Sequence, residues 1–494
     1  MNKNYLIFDL GASNGRALVA QYDGMKFELE IIHRFENVEV LAAGTRYWDI
    51  LHLYNQILKG IKIAVGKYKD IRSIGIDTWG ADCCFLDKNG KLLANPVSYR
   101  DDARYRDANK LFEIISRREL FKQTSGPVSP ENDLFHLYSL KLNSSTEISE
   151  GKTFLSVTDT LNYLLTGKTV NEFTRLTMSI LFDQRKGTLA EKILNKVSIP
   201  KDLFPKMVQP GDSIGKLSKE VCTELEIDPI EIIVPATHDT ASAIAGIPVT
   251  IDKNWAFISI GTWAILGQRT EEQIVSDEIM EVGFANEGGV EVPNIFMTEM
   301  VGLWIIQQCR NRWIKDTGKD ISWDEIVKAA ENAKSFTAFI DISAENFAQL
   351  QLNMPELIET YCESKNQNIP KTMGEISRCV FESLTMRFKY NFNLMEKMTG
   401  QKNEALYMVG GGIQNKLLCQ WTSDATRIPV TAGPTEGTSV GNLLMQLKGT
   451  GEISDLTEGR IIAANSSEIM HYGPIDVKAW DDYYEKYLNI LQNK

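Results

Sequence analysis

YLIFDLGASNGRALVAQYD, Tyr5 to Asp23, is the stretch that decides the fold. An apolar strand runs to Asp9, the chain turns through Gly11, Ala12, Ser13, Asn14 and Gly15, and a second strand starts at Ala17. The turn carries little bulk, so its backbone N–H groups can approach a polyanion. A glycine-containing hairpin is also an ordinary turn, and taken alone it decides nothing. The same arrangement returns about half a chain later as AFISIGTWAILGQ, Ala256 to Gln268, with its turn at Gly261 and Thr262. A second pair of stretches follows suit. IGIDTWG, Ile74 to Gly80, comes after an amphipathic helical pattern around Leu53 to Val65, and YMVGGG, Tyr407 to Gly412, comes after one from about Glu375 to Met398. Both read as buried strands that end in glycine.

Two domains of one topology, each offering a phosphate hairpin to a shared cleft, are what a nucleotide-dependent transferase of the actin and hexokinase type requires. Coincidental turns in a multi-sheet protein are the alternative that these patterns leave open. The 494 residues exceed one ordinary core and suit two domains of similar size. A net charge of −12, from 53 basic and 65 acidic side chains, argues against nucleic acid or an anionic membrane surface as partner. Phosphorylated ligands stay possible, because backbone N–H groups and a metal hold them.

The apolar run before Asp9 is short and lacks a cleavage-like segment, so no signal peptide is expected. No uncharged apolar stretch approaches the roughly 20 residues a spanning helix needs, and the expected location is the cytoplasm. Seven cysteines, an odd number, suit free thiols. Cys83 and Cys84 fall in an apolar strand, while Cys362 and Cys379 could pair under oxidation.

EIIVPATHDTASAIAGIP, Glu231 to Pro248, places Thr237, His238 and Asp239 at a strand-to-helix turn. A carboxylate there accepts backbone N–H groups and feels the positive helix end, which keeps it ionised. Asp239 is then either a helix cap or a general base toward a hydroxyl.

The set DLGASNGR, GIDTWG, THDT, GTW and GGGIQN, in this order and spacing, resembles the FGGY carbohydrate kinase family. YRD at Tyr99, LTGK at Leu165, NEGG at Asn286 and GLW at Gly302 extend the resemblance over nearly the whole chain. It implies an α/β fold of duplicated ribonuclease-H-like topology, as in actin and hexokinase, with an interdomain cleft. The expected division is residues 1–246, carrying the sugar site and base, and residues 247–494, carrying the nucleotide site.

The implied reaction is transfer of the ATP γ-phosphoryl group to a sugar hydroxyl, which asks mainly for alignment and charge stabilisation. By resemblance Asp239 takes the hydroxyl proton, and Gly80, His238, Asp239 and Thr240 contact the sugar. Asp9 is placed to hold Mg²⁺ through water, since that ion prefers oxygen ligands and keeps much of its hydration. Ala12, Ser13, Asn14, Gly15 and Arg16 with Thr262 grip phosphates, while Gln307, Gly411 and Asn415 match nucleotide positions. The substrate implied is a 6-deoxy-L-ketohexose phosphorylated at O1, with L-rhamnulose first and L-fuculose as the alternative, and a different FGGY activity, on glycerol, xylulose or gluconate, is a further rival. Glu299 departs from the pattern: where an asparagine is expected at the sugar, this chain has a carboxylate, which when ionised only accepts hydrogen bonds. Trp79 and Asp82 flank Gly80 and either shape the pocket or belong to the core. The state expected is monomer or homodimer. A silent nucleotide sensor and an actin-like assembly module are the rivals outside catalysis.

Overall fold

Lys3–Leu10 pairs antiparallel with Asn14–Tyr22, and Ile71–Thr78 lies parallel to Lys3–Leu10 on its other side. With Phe27–Glu36, Glu231–Ile233 and Ser213–Lys216 they form a six-stranded sheet, seen in a computed structural model that describes residues 2–251, 253–292 and 294–492. Alternation along the first strand explains why both faces are covered. Leu6, Phe8 and Leu10 join a core with Leu53, Ile57 and Ile61 of the helix Ile50–Lys67. Tyr5 and Ile7 join a second core with Val440, Leu443 and Leu447 of the helix Gly437–Gly449.

The strand order repeats. Trp255–Ile260 pairs antiparallel with Trp263–Thr270 and parallel with Ala405–Val409, as the opening hairpin does with Ile71–Thr78. Val430–Ala432 continues parallel and Met470–Tyr472 closes antiparallel, matching Glu231–Ile233 and Ser213–Lys216. The duplication expected from the two hairpins is therefore present in the strand order, with one strand more in the second sheet, seven against six.

The chain builds two compact units from interleaved stretches and not from one cut after residue 246. One takes Met1–Thr250, Thr270–Phe296 and Gly437–Ser467; the other takes Ile251–Arg269, Met297–Glu436 and Glu468–Lys494. The late helix Gly437–Gly449 returns to the first unit because glycines let it close on the helix Asp239–Ala245. A Cβ on Gly441 would lie 1.8 Å from the Ser242 carbonyl oxygen, and one on Gly246 2.3 Å from that of Gly437.

In the second unit the long helix Met373–Thr399 starts with a capping box of Thr372 and Glu375 and stops at Gly400, where φ is +68°. The final helix Val477–Gln492 buries Trp480 and Tyr487, with Phe336 5.0 Å from Trp480 and stacked on Tyr483. Thr153–Ser156 is a strand paired with Cys83–Leu86, and a helix begins at Val157, capped by Ser156. All seven cysteines are free thiols; the Cys379 thiol is pushed well up by its hydrogen bond with the buried Cys362 thiol and by burial. Among the described residues, no helix is long and apolar enough to cross a membrane.

Candidate active site

Asp239 owes its place to the strand beside it. Thr78 N donates to Thr237 O at 2.9 Å and Thr78 bridges to His238, so the THDT turn extends the edge of Ile71–Thr78. Buried Glu172 fixes the turn from behind, its carboxylate accepting Thr237 Oγ1 at 2.7 Å and Thr237 N at 3.2 Å. The helix cap is His238, which makes no side-chain cap bond, and Asp239 is the first helical residue. The reading of Asp239 as the helix cap is thereby replaced. Its Oδ1 accepts Thr240 N at 2.6 Å and Thr240 Oγ1 at 3.4 Å, and the side chain is 37% exposed. Burial pushes its carboxyl up, His238 opposes that, and Asp9 adds to it. The direction is toward the range useful to a general base and opposite to the pull of the helix end.

His238 is nearly buried between two carboxylates. Its Nε2 lies 3.6 Å from Asp239 Oδ1 and its Nδ1 lies 3.5 Å from Glu287 Oε2. Gly80 faces the same ring: a Cβ there would stand 2.7 Å from Nε2. The chain has no side chain where the imidazole edge needs room.

Asp9 and Asp77 sit in register on adjacent parallel strands. Asp9 Oδ2 takes Arg16 Nη2 at 2.5 Å and Ser439 Oγ at 3.2 Å. Arg16 thus turns toward Asp9 in this structure. Asp77 is fully buried, with Asn442 Nδ2 at 2.6 Å from Oδ2, while Oδ1 has no hydrogen-bond partner. Burial and then Asp9 push its carboxyl well up. Ser439, Asn442 and Gln446 share one face of Gly437–Gly449, and Gln446 continues the network to Asn442 Oδ1, Ser73 Oγ and Leu6 O. Sequence reasoning missed this set. An aspartate inside an apolar strand and polar residues at helical spacing inside an apolar run were its visible traces.

The hairpin loop is pinned by its carbonyls. Asn37, also missed, donates from Nδ2 to Gly11 O at 3.0 Å and from its backbone to Ser13 O at 3.2 Å, while Gly11 N takes Asn14 O at 2.8 Å. Ala12 with exposed Ser13 and exposed Asn14 forms the tip of the turn. Gly15 packs under Phe35. Trp79 and Asp82 are buried, and Asp82 holds Trp48, Trp79 and Arg104 at 2.6, 3.1 and 2.9 Å. They are core.

In the second unit, Thr262 Oγ1 and Gln307 Oε1 meet at 3.3 Å. The GLW segment seals that hairpin: Gly302 N and Leu303 N donate to Thr262 O and Gly261 O, and a Cβ on Gly302 would collide with Trp263. Gly410 has φ +89° against Ile260, while a Cβ on exposed Gly411 would meet open space. Asn415 caps the helix Lys416–Thr426 through Oδ1 to Leu418 N at 3.1 Å. Glu299 is exposed on Asn294–Val301.

As a magnesium site, Asp9 with Asp77 offers hard oxygen donors, including one orphaned carboxylate oxygen. No group of three or more acidic, histidine or cysteine side chains among the described residues forms a protein cage. The residues fit an ion that arrives with nucleotide phosphates and keeps its waters.

A duplicated ribonuclease-H-like fold with a carboxylate at a strand-to-helix turn and a second acid in a phosphate hairpin defines the sugar-kinase class. The family profile described as "FGGY family of carbohydrate kinases, N-terminal domain" matches residues 4–246, and that of the C-terminal domain matches residues 256–449. The chain belongs to the FGGY family of carbohydrate kinases. It is 35% identical over 492 residues to a rhamnulokinase of Bacteroides thetaiotaomicron, covering 100% of each chain. It is 32% identical over 474 residues to a rhamnulokinase of Bacillus subtilis, covering 96% of each. In fold it is similar to a gluconate kinase from Lactobacillus acidophilus, with TM-score 0.81 at 15% identity over 100% of this chain and 98% of that one. It is also similar to Plasmodium falciparum glycerol kinase with ADP, with TM-score 0.76 at 18% identity over 99% and 98%.

Proposed function

We propose that the chain is an ATP-dependent kinase that phosphorylates O1 of L-rhamnulose, giving L-rhamnulose 1-phosphate and ADP. The observation that carries this is the partly exposed Asp239 beside His238, whose ring edge packs against Gly80, in a chain similar along its whole length to rhamnulokinases. We assign the sugar to Gly80, His238, Asp239 and Thr240 with Glu299, and the nucleotide to Ala12–Arg16, Thr262, Gln307, Gly411 and Asn415. Residues 1–246 then carry the base, the other sugar contacts and the hairpin Ala12–Arg16, and residues 247–494 carry Glu299 and the nucleotide positions Thr262, Gln307, Gly411 and Asn415.

Asp239 accepts the O1 proton as O1 bonds to the γ-phosphorus and the bond to the ADP oxygen breaks. Thr240 N holds the carboxylate in place through this step. Asp9 would hold Mg²⁺ through water, and the ion would supply charge neutralisation on the phosphates. Arg16 is placed to trade its pairing with Asp9 for a phosphate oxygen. The use of ATP and the free thiols support a cytoplasmic enzyme.

The test is ATP-dependent ADP release, with Mg²⁺, on L-rhamnulose, L-fuculose, L-ribulose, D-xylulose and glycerol. A marked preference for L-rhamnulose is expected, and release no faster than sugar-free background on all five refutes the proposal. Glu299 favours a second reading, L-fuculose, because a carboxylate accepts where an amide also donates. Preference for that sugar, moved toward L-rhamnulose by Glu299→Asn, is the result that would establish it.

A further inference from the structure

Glu287 ends the strand Phe284–Glu287 with its side chain only 4–5% exposed. Placing a carboxylate there costs several kcal/mol, more than an apolar residue of the same size would. The backbone on both sides is locked to hold it there. Asn286 N donates to Ser125 O at 2.9 Å and its Nδ2 to Ile274 O at 3.0 Å, while Gly288 N donates to Thr177 Oγ1 at 3.0 Å. Gly288 is required as glycine, because a Cβ would stand 2.5 Å from the Phe173 ring.

Glu287 Oε2 points at His238 Nδ1 across 3.5 Å, and that nitrogen is buried with no hydrogen-bond partner within bonding geometry. Contacts of this kind are commonly long without substrate and tighten when it binds. The other edge of the ring, Nε2, is the one beside Gly80 and Asp239. We propose that Glu287 is a positioning residue for sugar recognition: it orients His238 with Nδ1–H toward its carboxylate and so presents Nε2 to a sugar hydroxyl next to Asp239. With Nδ1 carrying the proton, the neutral ring accepts a hydrogen bond at Nε2, and the cationic ring donates one there.

The groups facing the imidazole are Glu287, Asp239 and Arg175. Burial works against its cation and Arg175 does too, but Glu287 and Asp239 prevail and raise it. The assignment deepens the sugar-kinase reading and rests on it for the identity of the hydroxyl-bearing ligand.

The experiment is Glu287→Gln, which keeps the volume and removes the charge. In the unliganded protein, imidazole NMR follows His238, identified among five histidines by its loss in His238→Gln. Glu287→Gln is expected to make His238 titrate at lower pH, to raise KM for L-rhamnulose about tenfold, and to leave KM for ATP unchanged. Glu287→Asp should recover part of both effects. An unmoved His238 titration in folded Glu287→Gln, or equal changes in both KM values, overturns the proposal. If that variant does not fold, the wild-type ¹⁵N spectrum decides: a proton on Nδ1 in the neutral ring supports the orientation, and a proton on Nε2 refutes it. A wild type inactive on L-rhamnulose defeats the functional reading, while the NMR arm still tests the Glu287–His238 pair.

Discussion

Gly441→Ala tests whether the late helix sets the acidic site. The added carbon would lie 1.8 Å from the Ser242 carbonyl oxygen and 2.6 Å from its carbon, both backbone atoms that cannot swing aside. Ordinary contact needs about 3.5 Å, so the helices Gly437–Gly449 and Asp239–Ala245 must part by about 1.7 Å. Asn442 is the next residue, and a displacement of that size breaks its 2.6 Å bond to Asp77. Overpacking costs about 1–3 kcal/mol and stranding a buried carboxylate about 1–3 kcal/mol more. We expect a loss of about 2–6 kcal/mol, or roughly 4–12 °C in the melting temperature of a unit this large. Phosphoryl transfer should fall with it, because the same helix carries Ser439 to Asp9. Gly66→Ala is the control: a Cβ there meets nothing within 4 Å, and a helical glycine replaced by alanine gains about 0.5–1 kcal/mol. Calorimetry and the ADP-release assay read both variants. A Gly441→Ala protein that melts and turns over like wild type would refute the claim that this contact holds the acids.

Asp239→Asn should lower transfer by about 10² to 10⁴ while ATP binding, read by calorimetric titration, persists; an unchanged rate removes Asp239 as the base. Because burial pushes Asp239 up, the base is lost as pH falls through a value above that of an ordinary aspartate. The acid limb of kcat/KM should lie above the position of an ordinary aspartate, and a limb at or below that position would contradict the shift. Gly80→Ala sets a Cβ 2.7 Å from His238 Nε2, on a rigid ring, and should raise the sugar KM about 10- to 100-fold with the ATP KM unchanged.

The chain order of hairpin, helix and strand was legible twice over, because strand alternation, turn glycines and helical periodicity are local. Leu6, Phe8 and Leu10 alternating with Tyr5 and Ile7 already specify a strand covered on both faces. The short span of Asp239 behind a β-branched run likewise marked a strand-to-helix turn without any contact being known. Asp77 was legible only as a strand residue. That it faces Asp9 depends on the register of two strands separated by a helix, which no local pattern sets. Arg16 read as a phosphate ligand, yet the fold brings Asp9 within reach of it.

The sequence by itself determined the duplicated topology and the strand-to-helix turn that carries Asp239, since each rests on residues close in the chain. Only the tertiary structure decided what steadies them. Asn442 bonds Asp77 across 365 positions, Ser439 bonds Asp9 across 430, and Glu172 fixes Thr237 across 65. Contacts of that range follow from how packed layers bring distant faces together. They are set by close approach at glycines such as Gly441 and Gly246, whose lack of a side chain shows its purpose only when the neighbouring backbone is in place.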